Sequence, residues 1–284
     1  MSITVPSPGG PLHVVDHPGN APALVLMHGF PDDSRIYNRL VPLLAPQRVI
    51  AFDFLGYGRS ARTETGTGSA LDHNQDLAAV VDSLALDEFT LVGQDASGPV
   101  AIDYAIKEAD RVNNVVLLNT YYGHAPMLRL PEMIRLFADP HFAPLADAMT
   151  ADPNQRLWLL QHTARQFGTE ELDPNGIEAT SIVPQFFGEA DTPDALAAIR
   201  IWTGALFADL ENQNERIARG QLATLRVPVT LLFGALDPYL SPDLARHLAD
   251  LLPRAEVRIV EGASHWPQWD QPDAVARHVR ELAT

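Results

Sequence analysis

Residues 92–99 read VGQDASGP, and they decide the fold. An apolar run, Phe89-Thr90-Leu91-Val92, leads in, and Val100-Ala101-Ile102-Asp103-Tyr104-Ala105-Ile106 leads out. That is a strand, a tight turn of small residues, and a helix. In the pattern G-x-X-x-small, the middle side chain rides on a strained strand-to-helix turn and is lifted clear of the sheet. Gly93 fills the first position, Asp95 the middle one, and Ser97-Gly98 the small positions that follow. An acidic residue therefore stands at the exposed crest of the turn, and the rest of the chain must say what it does there.

Working outward, short apolar runs alternate with helix-like segments. Ala23–Met27, Val49–Phe52, Phe89–Val92 and Val112–Leu118 read as buried strands, with helices expected over Ile36–Leu44, Asp76–Leu84 and Pro99–Lys107. The alternation resumes late: strands at Val229–Phe233 and Val257–Val260, helices at Pro242–Leu252 and Pro272–Leu282. Such alternation implies βαβ units and a mostly parallel sheet covered by helices on both faces. Residues 124–225 differ, with prolines at 126, 131, 140, 144, 153, 174, 184 and 193 and no period-2 strand. Between the prolines run amphipathic segments, Asn154–Phe167 and one opening at Thr192-Pro193, where Ala195, Ile199, Trp202 and Leu206 share a face. The reading is an α/β core (1–123 and 226–284) interrupted by a helical cap (124–225).

Composition narrows the partners. A chain of 284 residues with 46% hydrophobic residues can bury a large core. The net charge of −16 opposes nucleic acid and anionic membranes. Without cysteine there are no disulfides and no thiolate chemistry. The start, MSITVPSPGG, has no signal-peptide pattern, and no stretch approaches the ~20 apolar residues of a membrane span. A soluble cytoplasmic protein is expected. No histidine–carboxylate group has metal-ligand spacing, so neither metal nor cofactor is expected.

The chemistry-bearing stretches fall at strand ends, where parallel sheets place their ligands. They are His28-Gly29-Phe30-Pro31, the glycine-rich turn DFLGYGRS at 53–60, the turn with Asp95, Gly234-Ala235-Leu236-Asp237-Pro238, and Gly262-Ala263-Ser264-His265-Trp266. Nucleophile, acid and histidine come in that order along the chain. In this order the chain resembles an α/β-hydrolase with a helical cap, over nearly its whole length. The aspartate at the turn narrows the resemblance to the branch of epoxide hydrolases, haloalkane dehalogenases and fluoroacetate dehalogenases.

Physical reasoning reaches the same branch. A serine nucleophile needs a base and attacks a carbonyl carbon. A carboxylate, with a pKa of about 3.9 when unperturbed, is ionised already at neutral pH. It is suited to displacement at saturated carbon, giving an alkyl ester. His265, oriented by Asp237, would then activate water against that ester, and the N–H groups of Phe30 and Ala96 would form the oxyanion hole. Asp95 as a mere turn residue and Ser97 as the nucleophile are the competing readings. His28 and Pro31 are expected to shape the pocket beside Trp266, with His28 supporting the oxyanion loop. His13, His17, His73, His247 and His278 read as surface residues.

The leaving-group donor is the open choice. The resemblance to epoxide hydrolases implies HGxP, which is present, and two cap tyrosines, which are not: the six tyrosines lie at 37, 57, 104, 121, 122 and 239. Tyr121 and Tyr122 are the nearest acids, unless they only pack at the cap hinge. Resemblance to haloalkane dehalogenases implies a tryptophan after the nucleophile, where this chain has Ala96; Trp158 and Trp202 are the substitutes in the cap. Fluoroacetate dehalogenases would place arginines after the turn, and residues 96–105 hold none. Epoxide hydrolysis to a vicinal diol therefore stands ahead of haloalkane hydrolysis, on a small apolar substrate and water. A non-catalytic relative, or one acting on esters or lactones, remains the reading from another class.

Overall fold

The computed structural model describes residues 1–62, 69–167 and 193–282. Eight strands form one sheet: β1 (Ser2–Ser7), β2 (Gly10–His17), β3 (Asn20–Met27), β4 (Gln47–Phe52), β5 (Phe89–Asp95), β6 (Val112–Thr120), β7 (Val229–Gly234) and β8 (Ala255–Val260). Their spatial order is β1-β2-β4-β3-β5-β6-β7-β8. β2 pairs antiparallel with both β1 and β4, and every other pair is parallel. The central parallel strands β3, β5, β6 and β7 are largely buried on both faces, which is why they read as apolar runs, whereas the edge strand β8 is half-exposed. Along β3, Leu24 and Leu26 enter one apolar cluster while Val25 and Met27 enter the other, as a period of two demands.

Helices α1 (Ala70–Ser83) and α2 (Ser97–Lys107) cover one face, and the C-terminal helix Pro272–Leu282 covers the opposite one. The N-terminal hairpin β1–β2 lies outside the strands expected from sequence. β2 alternates in burial along its length, and short half-exposed strands of this kind carry a weak apolar signal. The helix expected over Ile36–Leu44 is instead two 3₁₀ turns, Ser34–Tyr37 and Val41–Leu44. Pro42 is the reason: in a continuous helix its ring would strike the carbonyl four residues back.

Between β6 and β7 the described elements are helical: α3 (Glu132–Ala138), α4 (Ala143–Ala151), α5 (Pro153–Phe167) and α6 (Pro193–Ala218), besides a 3₁₀ turn at Pro140–Phe142 and another at Leu222–Thr224. Met133, Leu136, Ala146 and Leu159 form a small core of their own there. On α6, Ile199, Trp202 and Leu206 are buried together at the expected spacing, while the side chain of Ala195 lies outside the described residues. After β7 come α7 (Pro242–Leu251), α8 (Pro267–Asp270) and α9 (Pro272–Leu282). Among the described residues no helix is long and apolar enough to cross a membrane.

The C-terminal half of α6 is fastened to the core by side chains that cap free backbone groups. Asp209 accepts from the first N–H of α1 (Ala70), Gln213 from Gly123 N–H and Asn214 from His124 N–H. These contacts fix the helix that carries Trp202 over the strand ends.

Candidate active site

Asp95 ends β5 with φ +50°, a left-handed conformation that an acidic residue adopts more readily than most. The turn is tight on both sides. A Cβ on Gly93 would come within 2.9 Å of Ser97 O, and one on Gly98 within 2.0 Å of Thr120 Oγ1. Thr120 Oγ1 donates to Asp95 O, and Ser97 Oγ lies within hydrogen-bond reach of Met27 O, Gln94 O and Gln94 N. Ser97 is thus fully buried and bound to backbone, so it braces the turn and is closed to substrate.

The Asp95 carboxylate accepts from Phe30 N–H at 3.1 Å and from Ala96 N–H. Burial pushes its pKa up from the ordinary value; the charge of His265 and those two N–H groups pull it back. His265 Nε2 lies 3.8 Å from Asp95 Oδ2, and His265 Nδ1 lies 2.8 Å from Asp237 Oδ2. Asp237 also accepts from Asn119 Nδ2, Tyr239 N–H and Leu240 N–H. Burial alone would raise the Asp237 carboxyl, but the charge of His265 and these donors hold it below its ordinary value. For His265 burial acts downward, and Asp237, then Asp95 and Asp32, overcome it and raise the imidazole to about 9.

An apolar cavity opens onto this group. Phe30, Pro31, Asp95, Ala96 and His265 form its floor, Tyr121 and Tyr239 its side, and Leu130, Met133, Ile134, Trp202 and Leu206 its roof. Trp202 packs edge-on to Phe30, with ring centroids 4.9 Å apart. Neither the Tyr121 hydroxyl nor the Trp202 ring N–H has a hydrogen-bond partner among the described residues. Burial, with the charges of Asp95 and Asp209, holds the Tyr121 phenol well above its usual pKa, so it stays protonated.

The other residues singled out from sequence lie elsewhere. Tyr122 turns away and donates to Asp103 Oδ1 at 2.7 Å, where Arg216 of α6 also pairs. Trp158 is 59% exposed on α5 and stacks on His162. Neither borders the cavity. His28 lies beneath it: Nδ1 donates to Gly29 O and Nε2 accepts from Phe54 N–H, which ties the Phe30 turn to the strand beside it. Trp266 donates its ring N–H to the buried Asp32 at 2.9 Å, behind His265. Of the histidines expected at the surface, one is buried and another is only partly exposed. His73 is buried against Phe54 and Trp202, and His13 pairs with Asp53 at 3.2 Å. His73 lies on the inner stripe of α1, and its segment could have been read as apolar-facing from the 3.6-residue period.

Sequence reasoning missed Gln94, Asp32, Asn119 and Phe167. Gln94 stands inside the quoted stretch and touches His265, while Phe167 lays its ring 4.4 Å from the imidazole. Asp32 follows the HGFP motif directly, and burial lifts its carboxyl to about 7 against the pull of the Trp266 hydrogen bond. Among the described residues no cluster of three His, Cys, Asp or Glu is placed to hold a metal ion.

Comparison with known proteins agrees with this architecture. Residues 22–272 match the model of the α/β hydrolase fold family. Haloalkane dehalogenase 2 of Mycobacterium tuberculosis is 30% identical, over 96% of this chain and 91% of that protein. Bifunctional epoxide hydrolase 2 of Sus scrofa is 24% identical over 95% of this chain, which spans 52% of that longer protein. Among solved structures, the 2-hydroxy-6-oxo-6-phenylhexa-2,4-dienoate hydrolase of Rhodococcus sp. strain RHA1 superposes with a TM-score of 0.83 at 23% identity, covering 99% of this chain and 98% of that one. Epoxide hydrolase CorEH superposes with a TM-score of 0.80 at 20% identity, covering 99% and 98%. With its sheet order, its strained turn after β5 and a family match over most of its length, the chain belongs to the α/β hydrolase fold family.

Proposed function

We propose that this protein is an epoxide hydrolase that works through an alkyl ester on Asp95. The observation that carries the reading is the carboxylate itself, held by two backbone N–H groups at the floor of an apolar cavity beside an unpartnered phenol. Asp95 attacks a ring carbon, the C–O bond breaks, and the leaving alkoxide takes the proton of Tyr121. Esterification removes the negative charge that holds the Tyr121 proton, so nucleophilic attack and proton donation assist each other. His265 then takes a proton from water, and the hydroxide adds to the Asp95 carbonyl carbon. The oxyanion formed there faces the N–H groups of Phe30 and Ala96. On collapse the ester oxygen leaves with the proton of the added hydroxide, which releases the diol and restores the carboxylate, and the His265 proton returns through solvent to the Tyr121 phenolate. In this reading residues 124–225 are a cap over a core of 1–123 and 226–284, and the partners are a small apolar substrate and water.

Haloalkane hydrolysis is the second reading. It is favoured by the unpartnered ring N–H of Trp202 at the cavity roof and by the likeness to a haloalkane dehalogenase. Against it, Ala96 has no ring N–H to share the halide. One experiment separates the two. His265→Ala should form the ester and stall, so intact-protein mass spectrometry finds an adduct on the peptide holding Asp95. An epoxide adds its whole mass; a haloalkane adds its mass less hydrogen halide. No adduct with either class would overturn the ester mechanism.

A further inference from the structure

Gln94 is fully buried at the end of β5, one residue before the nucleophile. Its Nε2 lies 3.2 Å from His265 Nε2 and 3.3 Å from His265 O. The second contact fixes the first: a backbone carbonyl only accepts, so the amide nitrogen, not its oxygen, faces the histidine. The oxygen Oε1 is left on the side of Gly29, where a Cβ would approach it to 2.3 Å, and it finds no donor among the described residues. An amide donor directed at Nε2 needs a lone pair there. That requires the neutral imidazole with its proton on Nδ1, given to Asp237. It is the form a base must have to take a proton from water.

We propose that Gln94 is a positioning residue for ester hydrolysis, its amide donating to His265 Nε2 and keeping that nitrogen unprotonated until the hydrolytic water displaces the amide from its one lone pair. The proposal rests on the ester mechanism given above. The charged groups facing His265 all act the other way: Asp237 from the turn after β7, Asp95 from the end of β5 and Asp32 from the turn after β3. Phe167 of α5 and Trp266 present uncharged rings. The three carboxylates raise the imidazole to about 9, which favours a proton on Nε2. When Asp95 is esterified its charge disappears, and the Gln94 donor then weighs against fewer opposing charges. A residue kept only to fill space would not leave a buried acceptor unpaired, since that costs stability. Leucine would fill the same volume without the orphan oxygen.

The test is Gln94→Leu, with Gln94→Met as the second variant should the first not fold. Single-turnover rates of ester formation and ester hydrolysis are measured against pH, with thermal unfolding alongside. The midpoint for hydrolysis should move up by about half to one pH unit, the shift equivalent to one lost hydrogen bond. Ester formation should change less than about twofold, and the unfolding temperature should hold or rise. A lowered unfolding temperature with an unmoved midpoint would make Gln94 a packing residue and overturn the proposal. Equal slowing of both steps would do so too, by placing its effect on Asp95. If wild-type protein forms no ester at all, the ester mechanism fails separately. Titration of the His265 ring nitrogens by NMR in the resting protein still decides the role of Gln94: an imidazole midpoint that rises in the variant upholds the contact, and an unchanged one removes it.

Discussion

Asp237→Asn is a change of one atom with an unequal effect on the two chemical steps. Asp237 Oδ1 accepts from Tyr239 N–H and Leu240 N–H, at 2.9 and 3.0 Å. Oδ2 accepts from His265 Nδ1 and Asn119 Nδ2, at 2.8 and 2.9 Å. An asparagine has one acceptor and one donor, so it must fail one side. Turning its NH₂ to the backbone leaves two buried N–H groups unpaired, at about 1–3 kcal/mol each. Turning its oxygen to the backbone keeps those bonds and puts the NH₂ against His265 Nδ1. The imidazole then has to accept at Nδ1 and carry its proton on Nε2. In that tautomer Nε2 has no lone pair for water. Ester hydrolysis should fall by about 10³- to 10⁴-fold, as expected when an orienting acid fixes the wrong tautomer. Ester formation needs no base and should change by less than about tenfold. Rapid quench followed by intact-protein mass spectrometry follows both rates in one reaction. An Asp237→Asn protein that hydrolyses its ester within tenfold of wild type, or that slows in both steps alike, would refute this assignment of His265 and Asp237.

Three other substitutions address the leaving group and the buried acid. Tyr121→Phe should depress epoxide opening while Trp202→Phe leaves it within a few-fold; loss only in Trp202→Phe, measured with a haloalkane, would transfer the proposal to dehalogenation. Asp32→Asn keeps an acceptor for Trp266 but removes a carboxyl whose folded pKa, about 7, stands above its unfolded value. Between those two values the folded state binds more protons than the unfolded one, so wild-type stability falls as pH rises through that window. The variant should therefore gain unfolding temperature over wild type at pH 8 and little at pH 4; an equal effect at both would show that the Asp32 carboxyl does not stay protonated on folding.

Much of this arrangement was legible because most of it sits at the ends of strands buried on both faces. β3, β5 and β7 print as continuous apolar runs and are followed by Phe30, Asp95 and Asp237, while His265 follows the half-exposed β8, whose sequence AEVRIV is mixed. What the sequence hid is set by direction rather than by position. Tyr121 and Tyr122 are identical in type and adjacent, just past the end of β6, yet one borders the cavity and the other binds Asp103. Trp158 and Trp202 both lie in helices of the same segment. Only the stripe of α6 that includes Ile199 and Leu206 faces the strand ends. Gln94 carried no motif to mark it; its contact with His265 joins residues 171 positions apart.

β6 contributes more to the site than its apolar sequence announces, and a backbone irregularity is the reason. Gln94 pairs with Leu118, but Asp95 pairs with Thr120, so Asn119 is one residue too many in the ladder. Its φ of +28° marks the bulge. In a regular strand Asn119 would share its face with Leu117 and Tyr121, and its amide could not serve the neighbouring strand. The bulge turns it sideways toward β7, where Oδ1 accepts from Gly234 N–H and Nδ2 donates to Asp237. Thr120 is thereby free to bind the carbonyl of Asp95, and Tyr121 emerges at the cavity. Three consecutive residues thus reach Asp237, the Asp95 turn and the cavity. A strand that alternated regularly could place two of them, and the extra residue supplies the third.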